Sequence, residues 1–243
     1  MTITSITTID NKELPKKLKP IKEKMDIYIP DIPKGLSRRN GMIYILCGSG
    51  GSGKTSLLLN MFKSKHYYRN KFHTIFYICP SSSFCSVEKH PFENHDKVYN
   101  ELTVELLDNI YNHLVEIKES GEIEYSCVII DDMADSLKDS DIERKLNKML
   151  IKARHLQCGF IITLQSYLYL PKMLRKQITY ASIFKTNNAQ EWETITKELL
   201  FLNKDDGLTL FDYVYDEAYS HLDIDTRENK LYKNFDEIIL TKN

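Results

Sequence analysis

"CGSGGSGKTS", residues 47–56, decides how this chain is read. Gly48 through Thr55 fit the spacing G-x-x-x-x-G-K-[ST]. The glycines at 48, 50, 51 and 53 let successive backbone N–H groups turn inward, around Ser49 and Ser52, to surround an anion. A helix starting at Lys54 aims its positive end at the same point. Lys54 is placed to reach the outer phosphates of a nucleotide, and the Thr55 hydroxyl to ligate Mg²⁺, with Ser56 completing the contact set. The run "MIYILC" (42–47) just before the loop reads as a buried strand, and 54–65 as the helix after it. That strand–loop–helix context is what the motif requires.

The whole chain sets the bounds. Its 243 residues are enough for one core. The 33 basic and 34 acidic residues leave a net charge of -1, so any nucleic-acid partner has to be met by local charge. Five cysteines, at 47, 79, 85, 127 and 158, show no CxxC or Cys/His spacing and read as reduced core thiols. The apolar runs are far shorter than the ~20 residues of a membrane span, and "MTITSITTID" lacks the pattern of a signal peptide. A soluble intracellular protein with no membrane partner is expected.

Strand-like and helix-like segments alternate from Gly41 on. Further strands are predicted at 74–79, 127–130, 159–164 and 181–186, and helices at 101–119 and 139–156. This alternation implies an α/β fold, a mainly parallel sheet with helices on both faces. Residues 1–35, rich in lysine and carrying Pro15, Pro20, Pro30 and Pro33, read as an N-terminal arm, and 36–202 as the core. Residues 203–243 hold ten acids against five bases and read as an acidic extension, with "LFDYVYDEAYSHLDI" (210–224) a hairpin added to the sheet edge.

Two further strand ends carry chemistry. "SCVIIDD" closes on Asp131 and Asp132: Asp131 is expected to support the metal through water, and Asp132 to polarise an attacking water. An acid pair there favours hydrolysis, because a kinase must exclude water. "GFIITLQ" ends in Gln165, whose amide can hold that water and detect a γ-phosphate if its strand lies between the first and third.

"GSGGSGKT", "VIIDD" and "IITLQ" together resemble the HerA–FtsK superfamily of DNA-pumping ATPases. Within it they resemble the poxvirus-type genome-packaging ATPases of large DNA viruses and virophages, as does "KARHLQCGFIITLQSYLYLPKMLRKQI" (152–178). The resemblance covers residues 40–190 and implies a P-loop NTPase of RecA-like fold, with the glutamine strand between the Walker A and Walker B strands. It implies ATP and Mg²⁺ as cofactors and double-stranded DNA as substrate. It also implies a homo-oligomeric ring (hexamer or pentamer), capsid proteins as partners, and a place in the cytoplasmic virus factory or the virion. Asp132 departs from relatives that carry Glu at this position, which leaves the base assignment open.

Phosphoryl transfer gains from an added cation, often an arginine from a neighbouring subunit. The resemblance favours Arg154 as that finger, and Arg175 is the alternative. Between Lys138 and Lys176 nine bases face three acids. Arg144, Lys148 and Lys152 fall on one helical stripe, either solvated or facing DNA phosphates. "KSKHYYRNKFH" (63–73) mixes bases with aromatics, read as a surface loop or a single-strand contact. A nucleoside kinase and a nucleotide switch without turnover remain rivals. The lack of an N-K-x-D guanine-reading motif argues against a GTPase.

Overall fold

A computed structural model of the chain describes residues 28–33 and 35–241. Nine strands form one sheet in the order β3-β2-β4-β5-β1-β6-β7-β8-β9. The parallel part holds β1 (Ile43–Cys47), β2 (Thr74–Ile78), β3 (Val98–Tyr99), β4 (Ser126–Ile130), β5 (Cys158–Leu164) and β6 (Tyr180–Phe184). The antiparallel part adds β7 (His221–Asp225), β8 (Lys230–Lys233) and β9 (Asp236–Ile238). The helices are α1 (Lys54–Lys63), α2 (Ser81–Cys85), α3 (Val104–Ser120), α4 (Ser140–Ile151), α5 (Lys172–Arg175), α6 (Ala189–Ile195) and α7 (Lys204–Val214). The glutamine strand β5 lies between β1 and β4, as the resemblance implied.

The period-2 alternation along β1 divides the core. Ile43, Ile45 and Cys47 face one layer, with Leu107 and Leu114 of α3, Leu146 of α4, Trp192 of α6 and Leu210 of α7. Met42, Tyr44 and Leu46 face the other, with Leu58 and Met61 of α1 and with Ile29, Ile32 and Leu36. Parallel strands buried on both faces need near-continuous apolar sequence, and all five residues of β1, β4 and β6 are buried.

Three expectations are corrected. The sequence assigns residues 1–35 to an arm. Residues 1–27 and 34 lie outside the described residues, but Ile29, Ile32 and Leu36 are buried, and the Ile29 amide bonds to the Arg38 carbonyl at 2.8 Å. Apolar side chains between the prolines dock this stretch on the sheet. The 210–224 hairpin is replaced by the second half of α7 followed by β7, and the sheet-extending hairpin joins β7 to β8 instead. Leu210 and Val214 recur at helical spacing, Asn203 caps the helix through the Asp206 amide, and the Phe211 and Tyr215 rings meet at 4.8 Å. Finally, 63–73 is a surface loop at its exposed bases, Lys63, Lys65 and Arg69, but its single-strand reading fails: Tyr68 is fully buried and Phe72 nearly so, both packed on Phe62, which leaves them unable to stack on a base.

Gly41 occupies left-handed backbone (φ +78°), and a Cβ on it would lie 2.6 Å from the backbone of Arg154. Both strain and overlap oppose any side chain. Gly41→Ala is therefore expected to cost about 2 kcal/mol or more, read as a drop in the urea midpoint with unchanged m-value.

Candidate active site

The register of the parallel strands brings three tips level. Cys47 of β1 pairs with Leu164 of β5, and Ile130 of β4 with Ile162 of β5. The phosphate loop, the acid pair and Gln165 therefore leave the sheet side by side, at spacings of about 4.8 Å per strand. Beyond the last pair the Gly48 amide still bonds to the Leu164 carbonyl, at 3.0 Å.

The loop is shaped for an anion. A Cβ on Gly48 would sit 2.6 Å from Phe184 Cβ and 2.7 Å from Ser52 Oγ, so only glycine fits. Gly51 and Gly53 have φ of +75° and +104°, a turn that L side chains rarely adopt. Gly50 and Gly51 have open space around them, and Ser52 Oγ is enclosed without a hydrogen-bond partner in the protein. An oxygen-rich anion suits this cradle. Lys54 Nζ donates to the carbonyls of Gly48 (2.6 Å) and Ser49 (2.9 Å), holding its charge over the loop. Burial lowers the Lys54 pKa, opposed by the neighbouring Cys47, Asp132 and Asp131. The field of both acids thus reaches the loop lysine. A cleft of about 610 Å³ runs from Gly51, Gly53 and Lys54–Leu57 to Phe184, Tyr219 and His221.

Asp131 is buried at the tip of β4. Tyr77 donates to its Oδ2 at 2.7 Å and Thr163 to its Oδ1 at 2.6 Å. Burial pushes its pKa up, and the Thr163 and Tyr77 hydrogen bonds pull it back. Asp132 leaves the strand in left-handed backbone (φ 57°), pinned by its amide bonding to Thr163 Oγ1 at 3.0 Å. This turns its carboxylate outward, where Ser83 donates to Oδ2 at 2.9 Å and the Gln165 amide to Oδ1 at 3.3 Å. One acid is fixed inside and the other is exposed beside the glutamine. Ser83, Tyr77 and Thr163 were not singled out from sequence. Their hydroxyls become meaningful only when strand order sets them against the acids.

The arginines divide differently. Arg175 is consumed: its side chain is 9% exposed, bonds to Glu198 at 3.1 Å and to the Leu170 carbonyl at 2.8 Å, and lies over the Tyr167 ring. Arg154 lies beside Gly41, before the start of β1. Residues 41–48 run the length of the sheet, roughly 20 Å of extended chain, so Arg154 sits at the pole opposite its own phosphate loop. On the basic stripe, Arg144 pairs with Asp141 and Lys152 bonds to the Tyr111 hydroxyl, while Lys148 is exposed.

The family model for Poxvirus A32 protein matches residues 36–233. The chain belongs to the poxvirus A32 protein family. This is the genome-packaging type that its three motifs resemble. Among solved structures, the DNA-packaging ATPase B204 of Sulfolobus turreted icosahedral virus superposes with a TM-score of 0.58 at 17% identity, covering 83% of this chain and 98% of that one. The genome packaging NTPase B204 of Sulfolobus turreted icosahedral virus 2, in complex with AMPPCP, gives 0.56 at 17% identity, over 83% and 100%. The pCW3 conjugation coupling protein TcpA gives 0.53 at 15% identity, over 87% and 67%. At these identities the likeness establishes the P-loop NTPase fold. No curated protein sequence matches the chain. No helix among the described residues is long and apolar enough to cross a membrane.

The raised pKa of Asp131 has a definite sign. Between the ordinary aspartate range and the raised value, the folded chain holds more protons than the unfolded one, so Asp131 makes stability fall as pH rises through that window. Asp131→Asn removes this slope. Thermal unfolding without nucleotide is expected to show the Asn variant gaining on the wild type as pH climbs through the carboxylate range. A wild-type advantage that grows with pH would contradict this account of the acid.

Proposed function

We propose that this protein is an ATP-hydrolysing motor that translocates double-stranded DNA, packaging a viral genome into a capsid as a ring of subunits. The observation that carries the reading is the convergence of three neighbouring strand tips, which sets the buried Asp131 and the Asp132–Gln165 pair beside the phosphate loop, near enough for both acids to act on the Lys54 charge. Family membership and the packaging B204 neighbours support it.

In this reading the loop amides and Lys54 hold the β- and γ-phosphates. Thr55 and Asp131, the latter through water, would hold Mg²⁺; the donor set of one hydroxyl and one buried carboxylate suits an ion that keeps waters and phosphate oxygens as its other ligands. The ion would neutralise charge on the phosphoryl oxygens. The exposed Asp132 carboxylate takes the proton of the attacking water, whose oxygen bonds to the γ-phosphorus as the bond to the β-phosphate oxygen breaks, giving ADP and phosphate. Gln165, bonded to Asp132, is placed to orient that water and register the γ-phosphate. With the Ser83 and Gln165 contacts, the Asp132 carboxylate is held on both oxygens, which suits a positioned base. The virus factory or the virion is the expected location.

The arginine placement favours a ring. A finger that acts across an interface must lie away from its own site, and in a head-to-tail ring the two contact surfaces differ. Arg154 meets that condition. Arg175, held by Glu198, does not offer its guanidinium outward.

Hydrolysis is expected to rise on adding double-stranded DNA at low salt. Absence of stimulation by any nucleic acid would overturn the motor reading, and phosphate transfer to an added nucleoside would favour a kinase. Asp132→Asn is expected to lower kcat by about 10²–10⁴ while nucleotide still binds, measured by phosphate release and equilibrium titration. Subunit mixing tests the finger: an Arg154→Ala chain and a Lys54→Ala chain, each inactive alone, should recover partial activity when co-assembled. Full activity of Arg154→Ala assemblies would remove Arg154 from the site.

A further inference from the structure

The phosphate loop accounts for only one end of the 610 Å³ cleft. The other end is aromatic, and nothing in the proposed hydrolytic chemistry uses it. Phe184 closes β6, His221 opens β7, and Tyr219 sits in the turn just before β7. Phe184 and Tyr219 carbons each lie 3.5 Å from where a Cβ on Gly53 would be, so both rings flank the N-terminus of α1.

Tyr219 is unusual on two counts. The residue is 72% exposed, so it contributes little to the core. Its backbone is left-handed, φ 64°, a conformation that an L side chain such as tyrosine adopts only under strain. A strained residue that displays an aromatic face beside a nucleotide cleft is not explained by packing. The wall behind it is rigid, in contrast. His221 Nδ1 lies 2.8 Å from Asp223 Oδ1, Ser182 donates to the same oxygen, and Tyr44 OH lies 2.7 Å from Ser182 Oγ. Asp223 Oδ2 accepts the Phe235 amide at 2.8 Å. This buried chain ties β7 to β6 and β1 and fixes the His221 ring, 5.3 Å from Phe184.

We propose that Tyr219, with Phe184 and His221 as its back wall, forms the slot for the nucleobase of the bound nucleotide, Tyr219 stacking on the base. This rests on the reading of the phosphate loop as a nucleoside-triphosphate site. With the phosphates in the loop, the sugar and base extend along Thr55–Leu57 into the cleft, where these aromatics offer the planar surface. Base–aromatic stacking contributes about 1–3 kcal/mol per base, and a tyrosine has few rotamers to lose.

The test is calorimetric titration of the full chain with two probes, AMPPNP and inorganic tripolyphosphate, which has no base. Tyr219→Ala, a change at an exposed ring, is expected to weaken AMPPNP by roughly 5- to 100-fold and to leave tripolyphosphate within about twofold. Tyr219→Phe should keep the wild-type affinity for both. Unchanged AMPPNP affinity in Tyr219→Ala, or equal weakening of both probes, overturns the slot. If neither probe binds the wild-type chain, the phosphate-loop reading itself fails, a result distinct from either.

Discussion

The Gly48 amide bonds to the Leu164 carbonyl one step beyond the last paired residues of β1 and β5. The backbone ladder thus continues up to the first residue of the phosphate loop. A slip of one residue in this parallel register would turn every side chain of β1 to the other face, putting Ile43, Ile45 and Cys47 where Met42, Tyr44 and Leu46 belong. Because those two rows fill different cores, the register is held by packing on both sides. The position of the loop relative to the acid pair follows from that packing, and the site inherits the rigidity of the sheet.

Within that frame the two acids illustrate how one dipeptide serves two environments. The backbone reversal at Asp132 sends adjacent carboxylates in opposite directions, one between the hydroxyls of Tyr77 and Thr163, the other toward Ser83 and Gln165. Thr163 joins them: its Oγ1 donates to the Asp131 carboxylate and accepts the Asp132 amide. A β-branched hydroxyl on the glutamine strand therefore determines both the inner and the outer acid.

Much of this was legible in sequence, for identifiable reasons. The loop's spacing is imposed by the anion it surrounds, and its flanking runs of apolar residues are long enough to mark strand and helix. The acid pair and Gln165 stand out because polar residues end otherwise apolar runs. The strand order came from resemblance and not from periodicity, which carries no information about neighbours. Ser83, Tyr219 and His221 were opaque because their meaning depends on contacts across 49 residues of chain in one case and on the pairing of β7 with β6 in the others. The 210–224 stretch misled because its aromatic alternation hides an i, i+4 set that pays off only against Trp192.

The β6–β7 pairing makes the acidic C-terminal stretch part of the same hydrogen-bonded sheet that carries the phosphate loop. Chain ending after residue 203 would strip β6 of its outer partner, β7, and leave a strand buried along all five residues as a raw edge open to any passing strand. Trimming this tail would therefore exchange a short, exposed, acidic border for a self-adhesive one, and would do so next to the cleft beside the phosphate loop. The C-terminal strands are better regarded as the sheet's hem than as an appendage.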